Sequence, residues 1–454
     1  MRVNTKTKTN ERTHGGGIAA SINPEQALRR SVMSCMLWEN EFYEGGQSIS
    51  ERIIELCKQV EPDKVAVIAL AARTEMHLRH VPLLLARELA RNNYSRVDMV
   101  LDGVIQRADE LAEFLALYWQ DGKCPVSHKV RNGLNMALTK FNEYALAKYN
   151  RKSKVKLRDV LRVCHPTPKC AEQGQLWKDV INDTLTVPDT WETALSAGGD
   201  KGDTWNRLVQ EQKLGGLAFL RNLRNMREAG LPKSLIKEAI QNVNFNKVFP
   251  YRFIAANTYN PEWEDIIEPV MLGRMAQMPK LSGKTVLIVD VSGSMYGSGM
   301  SNYSEMDRAK TACSLAILVR ELCEDSAIYA TAGNDSDRIH QTKLVPSRRG
   351  FALADKVYTM CQPLGGGGIF LKQVMDYVFD REHTADRIIV ITDEQDCSRS
   401  SADSPNKANA FGNQNYIINV ASAKNGIAYD KWTHINGFSE SVLRYIAEYE
   451  RIDN

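Results

Sequence analysis

Three oxygen-bearing side chains occupy alternate positions in the segment Asp290-Val291-Ser292-Gly293-Ser294. A carboxylate and two hydroxyls spaced in this way on a tight turn point in the same direction. Oxygen ligands without histidine or cysteine suit Mg²⁺, which keeps several waters and takes few protein groups. Alternatively, the two serines cap the helix that follows. We favour a divalent-cation site because of the strands that surround this segment.

Short apolar runs alternate with helical stretches in the region after residue 280. The runs cover residues 286–289, 388–391 and 416–420, and the helical stretches cover about 306–323 and 369–379. This alternation is typical of a mainly parallel sheet with helices on both faces. The first run ends at Asp290 and the second just before Asp393. Because ligands bind beyond the carboxyl ends of parallel strands, Asp393 is predicted to complete the cation site, directly or through water.

A basic segment is the second candidate for a functional site. Residues 148–158 hold six basic side chains in 11 positions, with Tyr149 among them. Spaced cations neutralise phosphates and give a salt-sensitive affinity, while aromatic and arginine planes stack on unpaired bases. The alternative is a solvated, charged helix face, which is the commoner origin of a charge run. On charge density, the candidates for nucleic-acid binding are Arg151, Lys154, Lys156 and Arg158.

The net charge of the whole chain, +3, conceals a strong asymmetry. Residues 1–280 carry a net charge of +7, and residues 281–454 carry a net charge of −4. Within the first part, residues 123–169 hold 12 basic and two acidic side chains, a local excess of +10. Because the change of sign coincides with the change of sequence pattern, we expect two parts with different roles.

The N-terminal part is predicted to be helical. Across residues 23–256 the apolar residues recur at helical spacing, as in the stripe of Leu111, Phe114, Leu115 and Tyr118. Glycine and proline separate successive stripes, and strand-like alternation is nearly absent. Successive amphipathic helices indicate a helical-repeat array or a bundle, although no fixed sequence period is present.

Composition and missing motifs exclude several classes of protein. No apolar run approaches ~18 residues, and the N-terminus lacks the hydrophobic centre of a secretory signal. The nine cysteines are odd in number, scattered and never arranged as C-x-x-C, so we expect a cytosolic location without a zinc site or disulfide framework. The glycine run 365–368 lacks the G-K-[ST] ending of a phosphate-binding loop, and no G-x-S-x-G elbow occurs. An enzyme is therefore not expected.

The segment 285–295, TVLIVDVSGSM, resembles the start of a von Willebrand factor A domain, whose metal-ion-dependent adhesion site begins with D-x-S-x-S. That family adds a threonine from a glycine-rich loop and an aspartate at the end of a later strand. Asp393 matches the aspartate, but Gly368 stands where the threonine is expected. The resemblance implies a site for Mg²⁺ or another divalent cation that lacks one hydroxyl ligand. Its ligands are Asp290, Ser292, Ser294 and Asp393.

The chain as a whole resembles the TROVE-module proteins, the Ro autoantigen family and its bacterial relatives, in which a helical region is joined to such a domain. The segment LAFLRNLRNM at residues 217–226 is similar to the signature helix that precedes the A domain in that family. Residues 161–166, 249–256 and 434–446 resemble further family segments. The matches run from about residue 25 to residue 446.

This resemblance implies that HEAT-like helical repeats close into a ring. Rings of this family bind small structured RNAs on the outer surface and thread single-stranded RNA ends through a positively charged hole. By motif, Lys148, Lys152 and His165 match family positions implicated in RNA binding. Arg131, on a helix predicted over residues 130–144, is a lesser candidate. His165 precedes a proline and is therefore predicted to end its helix.

We therefore predict a non-enzymatic, cytoplasmic ribonucleoprotein component for RNA quality control or processing. Residues 1–20 are predicted as a disordered basic arm, residues 21–280 as an all-α TROVE RNA-binding domain, and residues 281–454 as an α/β von Willebrand factor A-like domain. The expected partners are small noncoding RNA, including Y-like RNA and misfolded RNA ends, and an exoribonuclease or other protein on the α/β domain. No membrane is expected. The alternative is a metal-dependent protein–protein scaffold in which RNA binding is incidental.

Overall fold

The structure is a computed structural model that describes most of the chain. The described residues are 12–13, 15–19, 22–33, 46–150, 153–186, 188–196, 198–246, 248, 250–278, 280–297, 306–400, 405, 414–421, 424, 426–427, 432–437, 442–443, 446 and 450. They divide into two compact units. The helical unit comprises Ser50–Leu214 and Ala229–Leu231, and the α/β unit comprises Met1–Ile49, Gly215–Glu228 and Pro232–Asn454.

The region up to residue 214 is helical, as predicted. Its helices are α1 (Pro24–Met33), which belongs to the α/β unit, α2 (Gly46–Gln59), α3 (Pro62–Thr74), α4 (His80–Arg91), α5 (Val97–Val104), α6 (Ala108–Tyr118), α7 (His128–Leu138), α8 (Glu143–Tyr149), α9 (Leu157–Cys164), α10 (Ala171–Asn182), α11 (Trp191–Ser196) and α12 (Lys201–Gln210). The predicted stripe of Leu111, Phe114 and Leu115 is fully buried on α6. No helix in the described part of the chain is long and apolar enough to cross a membrane.

One helix prediction in this region was wrong. The stretch 130–144 is divided between α7 and α8, because α7 ends at Leu138 and Asn142 starts a new helix. The Asn142 side chain accepts the backbone N–H of Ala145 at 2.9 Å. An asparagine side chain that bonds to the local backbone favours a helix start over a helix interior, and this competition overrides the apolar spacing.

A six-stranded sheet forms the centre of the α/β unit. Its strands are β1 (Leu281–Asp290), β2 (Cys323–Asn334), β3 (Ile339–Leu344), β4 (Arg387–Thr392), β5 (Asn415–Asn419) and β6 (Thr433–Asn436). The strand order is β3-β2-β1-β4-β5-β6, and every pair is parallel except β2 with β3. The predicted mainly parallel sheet is confirmed, and the three apolar runs coincide with β1, β4 and β5.

The sequence did not predict the other three strands, for a different reason in each case. Strand β2 begins with the polar segment Cys323-Glu324-Asp325-Ser326, so the strand does not read as one continuous apolar run. The edge strand β3 is antiparallel and exposes most of its side chains, so it carries no continuous apolar run. The strand β6 is only four residues long.

Helices that precede β1 in the sequence and helices that follow it belong to the α/β unit. They are α13 (Gly216–Glu228), α14 (Lys233–Asn242), α15 (Pro250–Tyr259), α16 (Glu264–Ala276), α17 (Arg308–Leu322), α18 (Gly350–Tyr358) and α19 (Leu371–Glu382). Both α17 and α19 match predicted helical stretches. Because α15 and α16 pack against α17, this compact unit extends to the N-terminal side of residue 280, where the sequence pattern changes.

A segment around Thr13 is held against the loop that follows β4, although residues 1–20 were predicted as a disordered arm. The Thr13 hydroxyl donates to the carbonyl oxygen of Asp396 at 2.6 Å, and the N–H of Gly17 donates to the same oxygen at 3.0 Å. A Cβ on Gly17 would lie 2.4 Å from that oxygen, so glycine alone permits the approach. In the structure these hydrogen bonds hold Thr13 and Gly17 against the loop, and residues 1–11 lie outside the described residues.

A buried ion pair joins α1 to the same loop. The Arg30 guanidinium donates to the Glu394 carboxylate, which also contacts His434 Nε2, and the side chains of Arg30 and Glu394 are 0 % exposed. Burial raises the pKa of Glu394, but Arg30 and His434 outweigh this effect, and the pKa is lowered. Gly426 leaves the space that the pair needs, because a Cβ there would lie 2.1 Å from Glu394 Oε2.

We predict that Arg30→Met lowers the free energy of unfolding of the α/β unit by about 3–5 kcal/mol, because it leaves a buried carboxylate without its arginine. Guanidinium denaturation of the full chain measures the loss. The matched control is Arg29→Met, which removes a half-buried arginine paired with Glu25 on the same helix and should cost about 1 kcal/mol or less. Equal losses in the two variants would contradict the prediction.

Candidate nucleic-acid interface and metal centre

The loop after β1 brings the first three predicted cation ligands together. Asp290 ends the strand, and its Oδ1 accepts the N–H of Ser292 at 2.8 Å. The hydroxyls of Ser292 and Ser294 are 3.2 Å apart. The 3₁₀ turn Gly293–Met295 follows, but the Ser292 side chain makes no capping bond to it. The structure therefore gives no support to the alternative in which this serine caps a helix.

Asp393 joins this cluster from the neighbouring strand β4. Its Oδ2 accepts the Ser294 hydroxyl at 2.6 Å, and the Thr392 hydroxyl donates to Asp290 Oδ2 at 2.6 Å. Both aspartates are 0 % exposed. Burial, followed by the negative charge of Asp393, raises the pKa of Asp290 to about 7. Two adjacent buried carboxylates with hydroxyl neighbours are a donor set that fits a hard divalent cation.

The two serines are essential to any cation site here. In the part of the chain that the structure describes, no group of three or more His, Cys, Asp or Glu residues could hold a metal ion. Asp290 and Asp393 alone supply too few ligands for Mg²⁺, which takes six oxygens including waters. Ser292, Ser294 and water would have to complete the coordination.

The structure explains why glycine occupies the position at which a threonine was expected. A Cβ on Gly368 would lie 2.0 Å from the sulfur of Cys397, closer than any real contact. The N–H of Gly368 donates to Asp335 Oδ1 at 2.9 Å, which fixes the loop in this position. Burial, followed by Asp335 and Asp396, raises the pKa of the Cys397 thiol to about 12. A neutral thiol therefore fills the space of the missing hydroxyl side chain.

The predicted RNA-binding residues lie on helices that pack against one another. Helix α9 contacts α6, α7 and α10, and α8 contacts α6 and α10. Arg131 lies on α7, Lys148 on α8 and Arg158 on α9, and His165 follows α9 directly. Packing between these helices brings the residues near one another. The sequence alone could not predict this packing and indicated the residues only by the run of basic side chains.

Two tyrosines of α8 hold cations near their rings. Lys148 Nζ lies 5.8 Å from the ring centre of Tyr149 and 5.9 Å from that of Tyr144. Arg107, at the start of α6, lies 4.4 Å from the ring centre of Tyr149. Cation–π contacts of this kind fix the cation in place while leaving its charge available to phosphate. Arg107 lies outside the basic segment of the sequence, and its guanidinium is ion-paired with Asp109 at 2.7 Å, so only Lys148 has no acidic partner in this cluster among the described residues.

His165 ends α9, as predicted. It is exposed and has a φ of 46°, and its N–H donates to the carbonyl oxygen of Leu161 at 3.0 Å. This left-handed conformation is unusual for a residue with a side chain and turns the chain sharply away from the helix axis.

The Nε of Arg131 is buried and, in the described part of the chain, has no hydrogen-bond partner.

The basic surface contains more cations than the sequence singled out. We define it as Lys148, Lys154, Lys156, Arg158, Arg162, Lys169 and Lys178. Within the described ranges none of these side chains forms an ion pair, and the last three were not predicted. Several other arginines of the helical unit are paired, as in Arg73 with Glu110 and Arg79 with Glu113. Arg151 and Lys152, which were also predicted to bind RNA, lie outside the described residues.

A comparison with protein families identifies the chain. The family model of the TROVE domain matches residues 21–184 and 182–265, which together make up more than half of the chain. The chain belongs to the TROVE family. The matched residues include the whole basic surface of this TROVE chain, whereas the cation cluster lies beyond them. The resemblance stated from sequence is confirmed.

Two further comparisons find similar proteins. A crystal structure of the Deinococcus radiodurans Ro (Rsr) protein matches with a TM-score of 0.58 and 14% sequence identity, covering 95% of this chain and 100% of that one. This likeness concerns the fold alone. The mouse telomerase protein component 1 is 36% identical over 79 residues, and the rat protein is 34% identical over the same length. The matched part is 16% of this chain and 3% of each telomerase component.

TROVE membership also bears on the class of activity. The family consists of RNA-binding ribonucleoprotein components rather than enzymes, and the prediction that this chain is not an enzyme is confirmed. The residues assigned to RNA and to metal stay predictions at the level of single side chains.

We predict that Gly368→Thr destabilises the α/β unit by about 1–3 kcal/mol, because its Cβ would overlap the sulfur of Cys397. Cys397→Ala removes the sulfur, so the double variant should be destabilised by at least about 1 kcal/mol less than the sum of the two single variants. Thermal melts of the two single variants and the double variant measure this coupling. Additive effects would show that the sulfur is not what excludes the threonine.

Proposed function

We propose that this TROVE chain holds a small structured noncoding RNA on its helical unit, in a ribonucleoprotein for RNA quality control or processing. The observation that carries the proposal is the basic surface, whose seven cations lack acidic partners among the described residues. Unneutralised cations attract a polyanion and release its counterions, which is the main source of affinity for nucleic acid. The paired arginines elsewhere in the unit do not offer this gain.

The proposal extends to the parts that the sequence resemblance implied. HEAT-like repeats would close into a ring that threads single-stranded RNA ends, and the α/β unit would be a von Willebrand factor A domain. The cluster of Asp290, Ser292, Ser294 and Asp393 supports the second assignment. Within this proposal the RNA is Y-like or a misfolded RNA with a free end, an exoribonuclease or other protein docks on the α/β unit, and the complex acts in the cytoplasm.

We also propose that the cluster binds Mg²⁺ or another divalent cation. The buried carboxylates of Asp290 and Asp393 would supply charge, the hydroxyls of Ser292 and Ser294 would supply neutral ligands, and water would take the place of the absent threonine. The cation would stabilise the charged form of Asp290, whose pKa is raised by burial and then by the charge of Asp393.

The RNA proposal is tested by the salt dependence of binding. We expect the affinity for a structured RNA hairpin to fall steeply with salt, and the triple variant Lys148→Gln, Lys156→Gln, Arg158→Gln to bind more weakly. The slope of log Kd against log salt should decrease by about 0.9 for each phosphate that the variant no longer neutralises. Filter binding or fluorescence anisotropy at several salt concentrations measures both quantities.

The matched control removes the same net charge from elsewhere on the helical unit. Arg96, Lys129 and Lys213 are paired with Asp63, Asp98 and Asp189, so their triple substitution by glutamine should leave the slope unchanged. If binding is insensitive to salt, or if both triple variants behave alike, the RNA proposal fails. In that case the metal-dependent protein scaffold becomes the better explanation of the fold.

The metal proposal predicts that Mg²⁺ raises the melting temperature of the wild-type chain and not that of Asp290→Asn. Binding only to the folded state stabilises it by about 2.7 kcal/mol at a concentration 100 times the Kd. Differential scanning fluorimetry with and without Mg²⁺ measures the shift. Asp325→Asn, an exposed position near the amino end of β2, is the control and should keep the shift. A shift that survives in Asp290→Asn would contradict the site.

A further inference from the structure

The loop that carries Asp393 is held by residues from the opposite end of the chain. We define the β4 loop as residues 393–398, which follow β4 directly, and the N-terminal hairpin as residues 12–13 and 15–18. An antiparallel bridge between Arg12 and Ile18 closes the hairpin. Both segments belong to the α/β unit, although 383 residues separate Thr13 from Asp396.

The backbone of the N-terminal hairpin lies directly on two consecutive carbonyl groups of the β4 loop. The Thr13 hydroxyl and the Gly17 N–H both donate to the carbonyl oxygen of Asp396, at 2.6 Å and 3.0 Å. A Cβ on Gly15 would lie 2.5 Å from the carbonyl oxygen of Gln395, and a Cβ on Gly17 would lie 2.4 Å from that of Asp396. Only glycine permits contacts as close as these, so the fit of the hairpin depends on both glycines.

The β4 loop contains a strained residue next to the proposed cation ligand. Glu394 has a φ of 61°, a left-handed conformation that a residue with a side chain keeps only where its surroundings fix it. Its carboxylate is bound by Arg30 of α1 and contacts His434, and its N–H donates to the Thr392 hydroxyl at 2.9 Å. Because Glu394 shares a peptide bond with Asp393, relaxation of Glu394 would move that ligand.

A chain of hydrogen bonds connects the N-terminal hairpin to the Asp393 carboxylate. The N–H of Gln395 donates to Asp393 Oδ1 at 3.1 Å, and Gln395 Nε2 donates to the carbonyl oxygen of Asp393 at 3.1 Å. Gln395 is followed by Asp396, whose carbonyl oxygen the hairpin holds. Mg²⁺ demands near-ideal octahedral geometry, so a small displacement of Asp393 relative to Ser294 would weaken its binding.

We propose that the N-terminal hairpin fixes the β4 loop in the position that binds a cation, so that docking of the hairpin raises the affinity of the Asp393 cluster for Mg²⁺. Thr13 and Gly17 are then positioning residues of this cluster. The inference rests on the proposed cation site and adds a means of regulating it. Because coupling between two equilibria is reciprocal, a bound cation in turn stabilises the docked hairpin. Withdrawal of the N-terminal segment therefore weakens the cation site from outside its ligands.

The first test measures Mg²⁺ binding to the full chain by isothermal titration calorimetry. Gly17→Ala places a Cβ against the Asp396 carbonyl oxygen, and Thr13→Val replaces the donating hydroxyl by a methyl group of similar size. We expect each variant to raise the Kd for Mg²⁺ about five-fold or more, the lower end of typical coupling between sites. Neither substitution touches a proposed ligand, and Thr13→Val keeps the test valid if Gly17→Ala folds poorly.

Two matched controls should keep the wild-type Kd. Thr13→Ser retains the hydroxyl donor, and Gly199→Ala adds a Cβ at a glycine where it meets no atom within 4 Å.

The second test measures the reciprocal effect by hydrogen–deuterium exchange. Saturating Mg²⁺ should slow exchange of the Gly17 amide about five-fold or more in the wild-type chain, because this N–H donates to Asp396 only while the hairpin is docked. Asp290→Asn, which removes a proposed ligand, should abolish this protection. A hairpin that merely adds stability would show no response to the cation.

The inference is overturned if wild type, Gly17→Ala and Thr13→Val bind Mg²⁺ with the same Kd, or if Mg²⁺ leaves exchange of the Gly17 amide unchanged. The cation site would then stand without this coupling. If the wild-type chain does not bind Mg²⁺, the proposed cation site itself fails, and this inference fails with it.

Discussion

Negative charge buried at the carboxyl edge of the sheet is the constraint around which the α/β unit is organised. Asp290, Asp393 and Glu394 are all 0 % exposed and lie at the ends of the adjacent strands β1 and β4. Each buried carboxylate must be balanced by a cation or by donors, because an isolated buried charge is very costly. Glu394 is balanced by Arg30 and His434. The two aspartates instead accept hydrogen bonds from hydroxyl and backbone amide donors.

Glycines make room for the groups that satisfy these charges. Gly426 leaves space for the Arg30–Glu394 pair, and Gly17 lets the N-terminal segment approach the carbonyl oxygen of Asp396. Gly368 leaves space for the sulfur of Cys397. In each case a Cβ on the glycine would lie within 2.4 Å of an oxygen or sulfur atom of the residue that it faces. The glycine is therefore required for that oxygen or sulfur to occupy its position. The departure of Gly368 from the expected threonine belongs to this pattern.

The sequence predicted those parts of the structure that depend on local pattern. Apolar runs indicated β1, β4 and β5, and the D-x-S-x-S spacing indicated a cluster that the fold does assemble. Long-range packing was not predictable, because the Arg30–Glu394 pair leaves no signal within a single segment. The edge strand β3 was missed because most of its residues are exposed and they form no continuous apolar run. The basic run at 148–158 indicated four members of the basic surface but not Arg162, Lys169 and Lys178.

The ion pair of α1 also determines the order in which the chain can fold. Arg30 and Glu394 are separated by 364 residues, and Thr13 and Asp396 by 383, whereas Arg73 and Glu110 in the helical unit are separated by only 37. Contacts between residues distant in sequence form slowly, and domains emerge from the ribosome from the N-terminus onward. The helical unit can therefore fold during synthesis, while α1, which precedes that unit in the chain, docks only after the loop that follows β4 has been made. Ribosome-bound intermediates then expose α1 until Glu394 has been translated.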